Sequence, residues 1–278
     1  LGGPVKHPHL SLLKTSVKDF VGGAAIVASH LSSAGCKTFF TSVIGNDKHG
    51  KFIKNQLKKN KVKAKLIIDK NRPTTNKNTI VAQNQKLLKL DTLDNTPLSN
   101  EITKQIKKSI STFKTTAIIF SDFRHGIFNK EIVPSYVKSI PKNSFKVADS
   151  QVASRWGNIL DFKNFDLITP NEKEARFSLG DQDSSIRPLA TELFEKSKCK
   201  LLILKLGAKG ALTYRKRDWK KVDSFYALDS FVTNLVDPVG AGDALIAYAT
   251  LSMVVSKNHA ITSIISSVAA SLACEREG

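Results

Sequence analysis

From residue 100 to residue 206 the chain alternates short apolar runs of strand length with segments of helical period, and that alternation leaves few folds open. The spacing predicts helices over Asn100–Phe113, Lys130–Ser139, Glu172–Leu179 and Ser185–Lys196. Strands are predicted at Thr116–Ser121, Ser144–Asp149, Leu167–Thr169 and Leu201–Leu206, followed by a hairpin near Ala211–Phe225. Strands separated by helices return through crossover connections, so the expected class is α/β, a mostly parallel sheet with helices on both faces. Such sheets bind ligands in the loops beyond the strand C-termini.

The front of the chain follows the same logic. Val21–Ser32 begins with Gly22-Gly23 and continues in small and apolar residues at helical spacing, as a Gly turn entering a packed helix does. Cys36–Ile44 reads as a strand and Asp47–Asn60 as a Lys-rich amphipathic helix. Between Ala64 and Asp91 the pattern changes to β-rich alternation around a turn at Asn71-Arg72-Pro73, and these strands are expected to lie outside any βαβ unit. No repeat or low-complexity linker divides the 278 residues, so one α/β domain with a small β excursion is expected over 1–278.

Composition excludes several classes. With 41% apolar residues the chain is globular rather than disordered. The longest apolar runs, such as Leu201–Leu204 and Ala117–Phe120, fall far short of the roughly 20 residues needed to cross a bilayer. No signal peptide is visible at the N-terminus. Cys36, Cys199 and Cys274 are odd in number and lack metal-ligand spacing, which favours a reducing cytoplasm over a disulfide framework or a zinc site. The net charge of +19 is mostly Lys spread over predicted helix faces, without aromatic–basic interleaving or a nucleic-acid module. A solvated surface accounts for it, and no specific nucleic-acid partner or membrane is expected.

The sharpest chemistry lies in Asp237-Pro238-Val239-Gly240-Ala241-Gly242-Asp243, which opens the apolar helical run Ala244–Val254. Small residues at 240–242 allow backbone N–H groups at a helix start to converge on an anion. A carboxylate beside those donors would repel phosphate unless it has a proton to take, so Asp243 reads as a general base or, taken alone, as an ordinary first-turn acid.

This segment resembles the C-terminal signature of the PfkB (ribokinase-like) carbohydrate kinase family. Asn171-Glu172-Lys173-Glu174 is similar to its NxxE element, Lys205-Leu206-Gly207-Ala208-Lys209-Gly210 to its strand-end LGxxG turn, and Gly22-Gly23-Ala24-Ala25 to its sugar-side GG segment. Within the family the resemblance is greatest to the heptose 7-phosphate kinase domain of ADP-heptose biosynthesis. It rests on Arg72–Lys77, Asn84-Gln85 through Leu90-Asp91, Ser121–Gly126 and Leu167–Asn171.

The resemblance implies a three-layer sandwich with a small β lid, from segments near 10–20 and 64–91, and an ATP- and Mg2+-dependent kinase acting on a sugar or sugar phosphate. It implies that Asp243 is the base, that the N–H groups of Ala241, Gly242 and Asp243 stabilise the transferred phosphoryl, and that Gly240 belongs to the same catalytic turn. Asn171 and Glu174 would hold Mg2+ through water, and Lys205, Gly207, Gly210 and Ser267 would line the nucleotide site. Gly22, Gly23, Lys77, Arg124 and Asp149 would face the substrate, with Arg72 a further cation for a sugar phosphate. Asp149 and the basic residues each have a plain alternative, a turn cap or a solvated cation. The resemblance also implies a homodimer, a cytoplasmic location and a nucleotidyltransferase partner, fused or separate.

The chain departs from the family in places. Family members begin with a strand carrying a substrate-binding Asp upstream of the GG pair, and that strand is expected to be missing ahead of Leu1-Gly2-Gly3-Pro4, as in a fragment or a divergent copy. Ser266–Gly278 is similar to the last helix and stops abruptly, which also points to truncation. Ile26 replaces a common Asn, Ser267 stands where an Asn often lines the nucleotide pocket, Tyr248 replaces a small residue, and His125 stands where heptose kinases often have Lys. These changes bear on substrate choice more than on phosphoryl transfer. A relative that only binds nucleotide or sugar is the alternative.

Overall fold

The computed structural model describes residues 15–82, 85–151, 158–215 and 224–276. Helix α1 (Ala24–Ser33) is followed by β1 (Phe39–Ile44), α2 (Lys48–Lys59) and β2 (Lys63–Ile68). β1 and β2 pair in parallel from Phe39↔Lys63 to Ile44↔Ile68, with α2 as their crossover. This corrects the expectation that the strands from Ala64 onward stand outside a βαβ unit. β2 has one exposed face and mixes Lys with apolar residues, so its alternation resembles a surface hairpin although it completes a parallel pair.

Strands β3 (Asn76–Ala82) and β4 (Gln85–Thr92) do form an antiparallel hairpin apart from both other sheets. β4 is exposed along its whole length. Of the expected lid segment near 10–20, residues 10–14 lie outside the described residues, and 15–20 are exposed with no helix or strand.

The main sheet follows. Helix α3 (Asn100–Thr112), β5 (Ala117–Asp122), α4 (Val133–Lys138), β6 (Phe145–Ser150), β7 (Leu167–Ile168), α5 (Glu172–Leu179), α6 (Ile186–Ser197) and β8 (Leu201–Lys205) alternate as predicted. β9 (Ala211–Tyr214) and β10 (Phe225–Leu228) complete it, and α7 (Ala241–Ser256) and α8 (His259–Cys274) close the chain. The strand order is β10-β9-β8-β7-β6-β5, parallel from β5 to β8 and antiparallel for β9 and β10.

The pleat makes the layers. Leu202 and Leu204 point into a core with Ile102, Tyr136, Leu189 and Leu193 of α3, α4 and α6, whereas Leu201 and Ile203 point into a second core with Val27 of α1 and Leu245, Ile246 and Ala249 of α7. Strands buried on both faces read as continuous apolar runs for this reason. Each such Leu or Ile contributes about 1.5–3 kcal/mol. Among the described residues no helix is long and apolar enough to cross a membrane.

The parallel strands all point their C-termini to one edge. Asp122 ends β5, Asp149 and Ser150 end β6, Thr169-Pro170-Asn171 follow β7, and Lys205 ends β8. Topology alone therefore collects the polar residues that separate stretches of sequence supply.

Candidate active site

At that edge Lys205 is the hub. Its Nζ lies 3.1 Å from Asp149 Oδ1 and 3.2 Å from Oδ2, and both side chains are largely buried. Burial alone would lower the Lys205 pKa, but the carboxylates of Asp149 and Glu174 outweigh it and keep the ammonium charged. The Nζ also lies 3.4 Å from where a Cβ on Gly242 would stand, so the start of α7 packs against it.

Glu174 reaches this group from the first turn of α5. Asn171 caps the helix, its Oδ1 accepting from the Glu174 N–H at 2.8 Å, while Glu174 Oε2 accepts from the Asn171 N–H at 2.7 Å. The NxxE element is thus a reciprocal capping box. Burial drives Glu174 up to about 7, with Lys205 opposing and Asp149 reinforcing the shift.

Asp243 sits in the first turn of α7, behind the Gly240 cap. Burial and the nearby Asp149 carboxylate push its pKa up to about 7, against the pull of Lys205 and Lys77. The expected fan of backbone donors is narrower than the sequence implies. The Ala241 N–H donates to the Pro238 carbonyl at 3.3 Å, because the turn into α7 folds back on itself. The Gly242 and Asp243 N–H groups have no such partner among the described residues, and they are the two left for an anion at the helix start.

The residues assigned to the substrate divide into two groups. Gly23 caps α1 at φ +58°, where glycine is favoured, and a Cβ there would press on the Phe123 ring at 3.1 Å. Gly22 precedes it with open space around it. Lys77, at the base of the hairpin, places its Nζ 5.9 Å from the centre of the same ring, and its charge is felt at Asp243. Gly23 and Lys77 are therefore joined through Phe123, which sequence reasoning missed: an aromatic among polar neighbours gave no periodic signal.

Arg124 and Arg72 form the other group, each engaged by carboxylates and carbonyls of the chain itself. The Arg124 guanidinium contacts Asp122 Oδ2 and Asp161 Oδ2, each at 2.7 Å, and donates to the Asn158 carbonyl at 3.3 Å. Arg72 is held by Asp69 at 2.9 Å and by the carbonyls of Thr96, Asp94 and His125. Each arginine thus balances a buried carboxylate and ties neighbouring loops together. Asp149, also assigned to the substrate, has both its oxygens on Lys205.

The residues assigned to the nucleotide separate similarly. A cavity of about 780 Å³ runs along α5, lined by Asn171, Lys173, Arg176, Phe177, Lys205 and Gly207 among others. Gly210 closes the β8–β9 turn where any Cβ would strike the Leu228 carbonyl oxygen, which makes it a packing requirement. Ser267 is buried in α8, where its carbonyl accepts from Ser271 Oγ at 3.0 Å. Neither Gly210 nor Ser267 lines the cavity.

Of the expected donors, the Glu174 carboxylate fits an ion such as Mg2+ that keeps most of its waters. No group of three or more His, Cys, Asp or Glu side chains is gathered for a metal among the described residues. Asn171 Oδ1 is committed to the cap, so of the expected pair Glu174 alone keeps an uncommitted carboxylate oxygen, Oε1. Mg2+ readily keeps several waters and takes one or two carboxylates besides phosphate oxygens.

A strand-end ion pair, a buried carboxylate at a helix start and two amides without a backbone partner stand together at one edge of an α/β sandwich. The pattern of the pfkB family carbohydrate kinases matches residues 4–278, and the chain belongs to that family. The family implies ATP as phosphate donor.

Among curated proteins the chain is 30% identical over 232 residues to the Bifunctional protein HldE of Campylobacter jejuni strain RM1221, covering 82% of this chain and 47% of that protein. It is 28% identical over 244 residues to the Bifunctional protein HldE of Helicobacter acinonychis, covering 86% and 51%. The chain thus spans about half the length of the curated relatives it matches. Among solved structures it is similar to phosphofructokinase-2 from Escherichia coli in its tetrameric inhibited form, with TM-score 0.78 and 18% identity over 98% of this chain and 88% of that one. It is also similar to ribokinase from Giardia lamblia, with TM-score 0.70 and 16% identity over 91% and 82%. The fold is ribokinase-like.

Proposed function

We propose that the chain transfers the γ-phosphoryl of ATP to a hydroxyl of a sugar phosphate of the heptose 7-phosphate type. The observation that carries the reading is Asp243, a buried carboxylate at a helix start beside two free backbone N–H groups. The acceptor hydroxyl gives its proton to Asp243 as its oxygen bonds to the γ-phosphorus, and the bond to the β–γ bridging oxygen breaks to leave ADP. The Gly242 and Asp243 N–H groups take the charge of the transferred phosphoryl, and Lys205, fixed by Asp149, adds a cation nearby. Mg2+, when bound, neutralises phosphate charge, and Glu174 would hold it through water.

Lys77 supplies the cation for the acceptor phosphate. The β3–β4 hairpin serves as the lid, with Lys86 reaching Asp237 at 3.3 Å on the approach to α7. Residues 1–278 act as a single kinase domain in this reading. A nucleotidyltransferase partner, fused or separate, belongs to the same proposal and agrees with the bifunctional name of the relatives, and pairing as a homodimer is proposed beside it. So does a cytoplasmic setting, which supplies ATP and keeps the three cysteines unpaired.

The test is ADP release with ATP and Mg2+ against heptose 7-phosphate and a panel of free sugars, in wild type and Asp243→Asn. Heptose-dependent turnover that Asp243→Asn abolishes supports both base and substrate. Tight ATP binding without turnover of any sugar replaces the enzyme with a nucleotide binder.

A further inference from the structure

Three segments far apart in sequence meet on one aromatic ring. The Phe123 ring atoms Cε2 and Cζ stand 3.1 and 3.3 Å from the position of a Gly23 Cβ, so the ring covers the turn that starts α1. The Lys77 ammonium lies 5.9 Å from the ring centre, and the His125 ring lies 6.2 Å away. Lys77 pairs with Asp91 across the hairpin, and its charge acts on both Asp243 and His125.

The ring is presented on a rigid support. Its neighbour Arg124 holds a left-handed backbone at φ +56°. That strain is fixed by the Arg124 N–H donating to Asp122 Oδ1 at 2.7 Å and by the guanidinium bridging Asp122 and Asp161. Ser150 Oγ donates to Asp122 at 2.8 Å and ties the support to β6. Among the described residues the hairpin has no comparable anchor of its own. β4 is exposed throughout, and the Lys86–Asp237 pair is open to solvent on the Lys86 side. A cationic side chain on an exposed hairpin and an aromatic face on a hydrogen-bonded loop make a directional contact.

We propose that Phe123 is a positioning residue of the acceptor site: its ring ties the base of the β3–β4 hairpin to the Gly22-Gly23 turn and holds the Lys77 ammonium over its face. Lys77 does the binding and Phe123 acts through it. The acceptor-binding half of this inference rests on the kinase reading above, whereas the tie between ring and hairpin does not.

The test has two arms. Amide hydrogen exchange over residues 76–82 is measured in the free protein for wild type, Phe123→Leu, Phe123→Tyr, Lys77→Met and the Phe123→Leu/Lys77→Met double variant. Exchange is expected to quicken by about 3-fold or more in Phe123→Leu and in Lys77→Met, no further in the double variant, and to stay near wild type in Phe123→Tyr, which keeps the ring face. In the second arm Phe123→Leu is expected to raise KM for heptose 7-phosphate by about 10-fold, with kcat and KM for ATP within about 2-fold, and to add nothing to Lys77→Met. Unchanged exchange in Phe123→Leu overturns the proposal. So does a loss multiplied in full onto Lys77→Met, or a fall in kcat without a change in acceptor KM. If the wild type phosphorylates no sugar, the kinase reading fails, and the exchange arm still decides whether the ring holds the hairpin.

Discussion

Lys205 Nζ touches both carboxylate oxygens of Asp149, at 3.1 and 3.2 Å, across a gap of 56 residues in sequence. Asp149, Glu174 and Asp243 all act on this one ammonium. Lys205→Met leaves these acids without their shared cation, and breaking a buried pair by removing one partner typically costs about 3–5 kcal/mol. The midpoint of urea unfolding should fall accordingly, and ADP release should be lost with it. A variant as stable as wild type would mean that the carboxylates find protons or water instead.

Asp243→Asn removes the base without changing the shape of the helix start. Turnover should fall by about 10²–10⁴-fold while KM for both substrates moves little. Because its pKa is raised to about 7, kcat/KM of the wild type should climb with pH through that region as the carboxylate ionises. A flat profile between about pH 6 and 8 would remove Asp243 from the base role.

Stability should move in the opposite direction. Glu174 and Asp243 both bind protons more tightly in the folded chain than in the unfolded one, where such acids titrate near 4. The folded state therefore holds protons that the unfolded state has released, and stability falls as pH rises through about 7. His125, lowered to about 4 by burial and the Lys77 charge, opposes this only below about 6.5, where an unfolded histidine begins to protonate. Between about pH 6.5 and 7 the acids act unopposed, and above about 7, where both states are ionised, the decline levels off. Urea titrations across that window should show a decline, and the Glu174→Gln/Asp243→Asn double variant should flatten it.

Arg124 and Lys77, both read from sequence as phosphate-binding cations, should separate in experiment. Arg124→Met leaves Asp122 and Asp161 unpaired and should lower stability by about 3–5 kcal/mol, with any kinetic loss following from that. Lys77→Met, at the base of an exposed hairpin, should leave the unfolding midpoint nearly unchanged and raise acceptor KM by about 10-fold or more. Equal effects of the two on acceptor KM at full stability would restore Arg124 to the substrate.

The architecture was legible because its signals are local. Strands buried on both faces show as apolar runs, and Asn171 followed three residues later by Glu174 marks a helix start within a residue. The edge pair β1–β2 was misread because one face of β2 is solvated and carries lysines. Site residues were found one by one where a motif carried them, as at Asp243 and Lys205, but their partnerships were not. Nothing local to Arg124 announces Asp161, and nothing near Gly23 announces Phe123. Those contacts exist only after the strands have been set side by side. The Ala241 N–H was counted among the free donors for a like reason: the small residues are visible in sequence, while the turn that sends this amide back to Pro238 is not.

The reciprocal cap between Asn171 and Glu174 bears on how related chains are read. A descendant that had ceased to phosphorylate anything would still need that pair to begin α5, because the helix end would otherwise leave backbone groups unsatisfied next to a buried ion pair. Selection for folding alone would retain it. Finding NxxE in another member is therefore weak testimony to activity, and the identity of the residue at position 243, which caps nothing, is the better indicator of whether the chemistry survives.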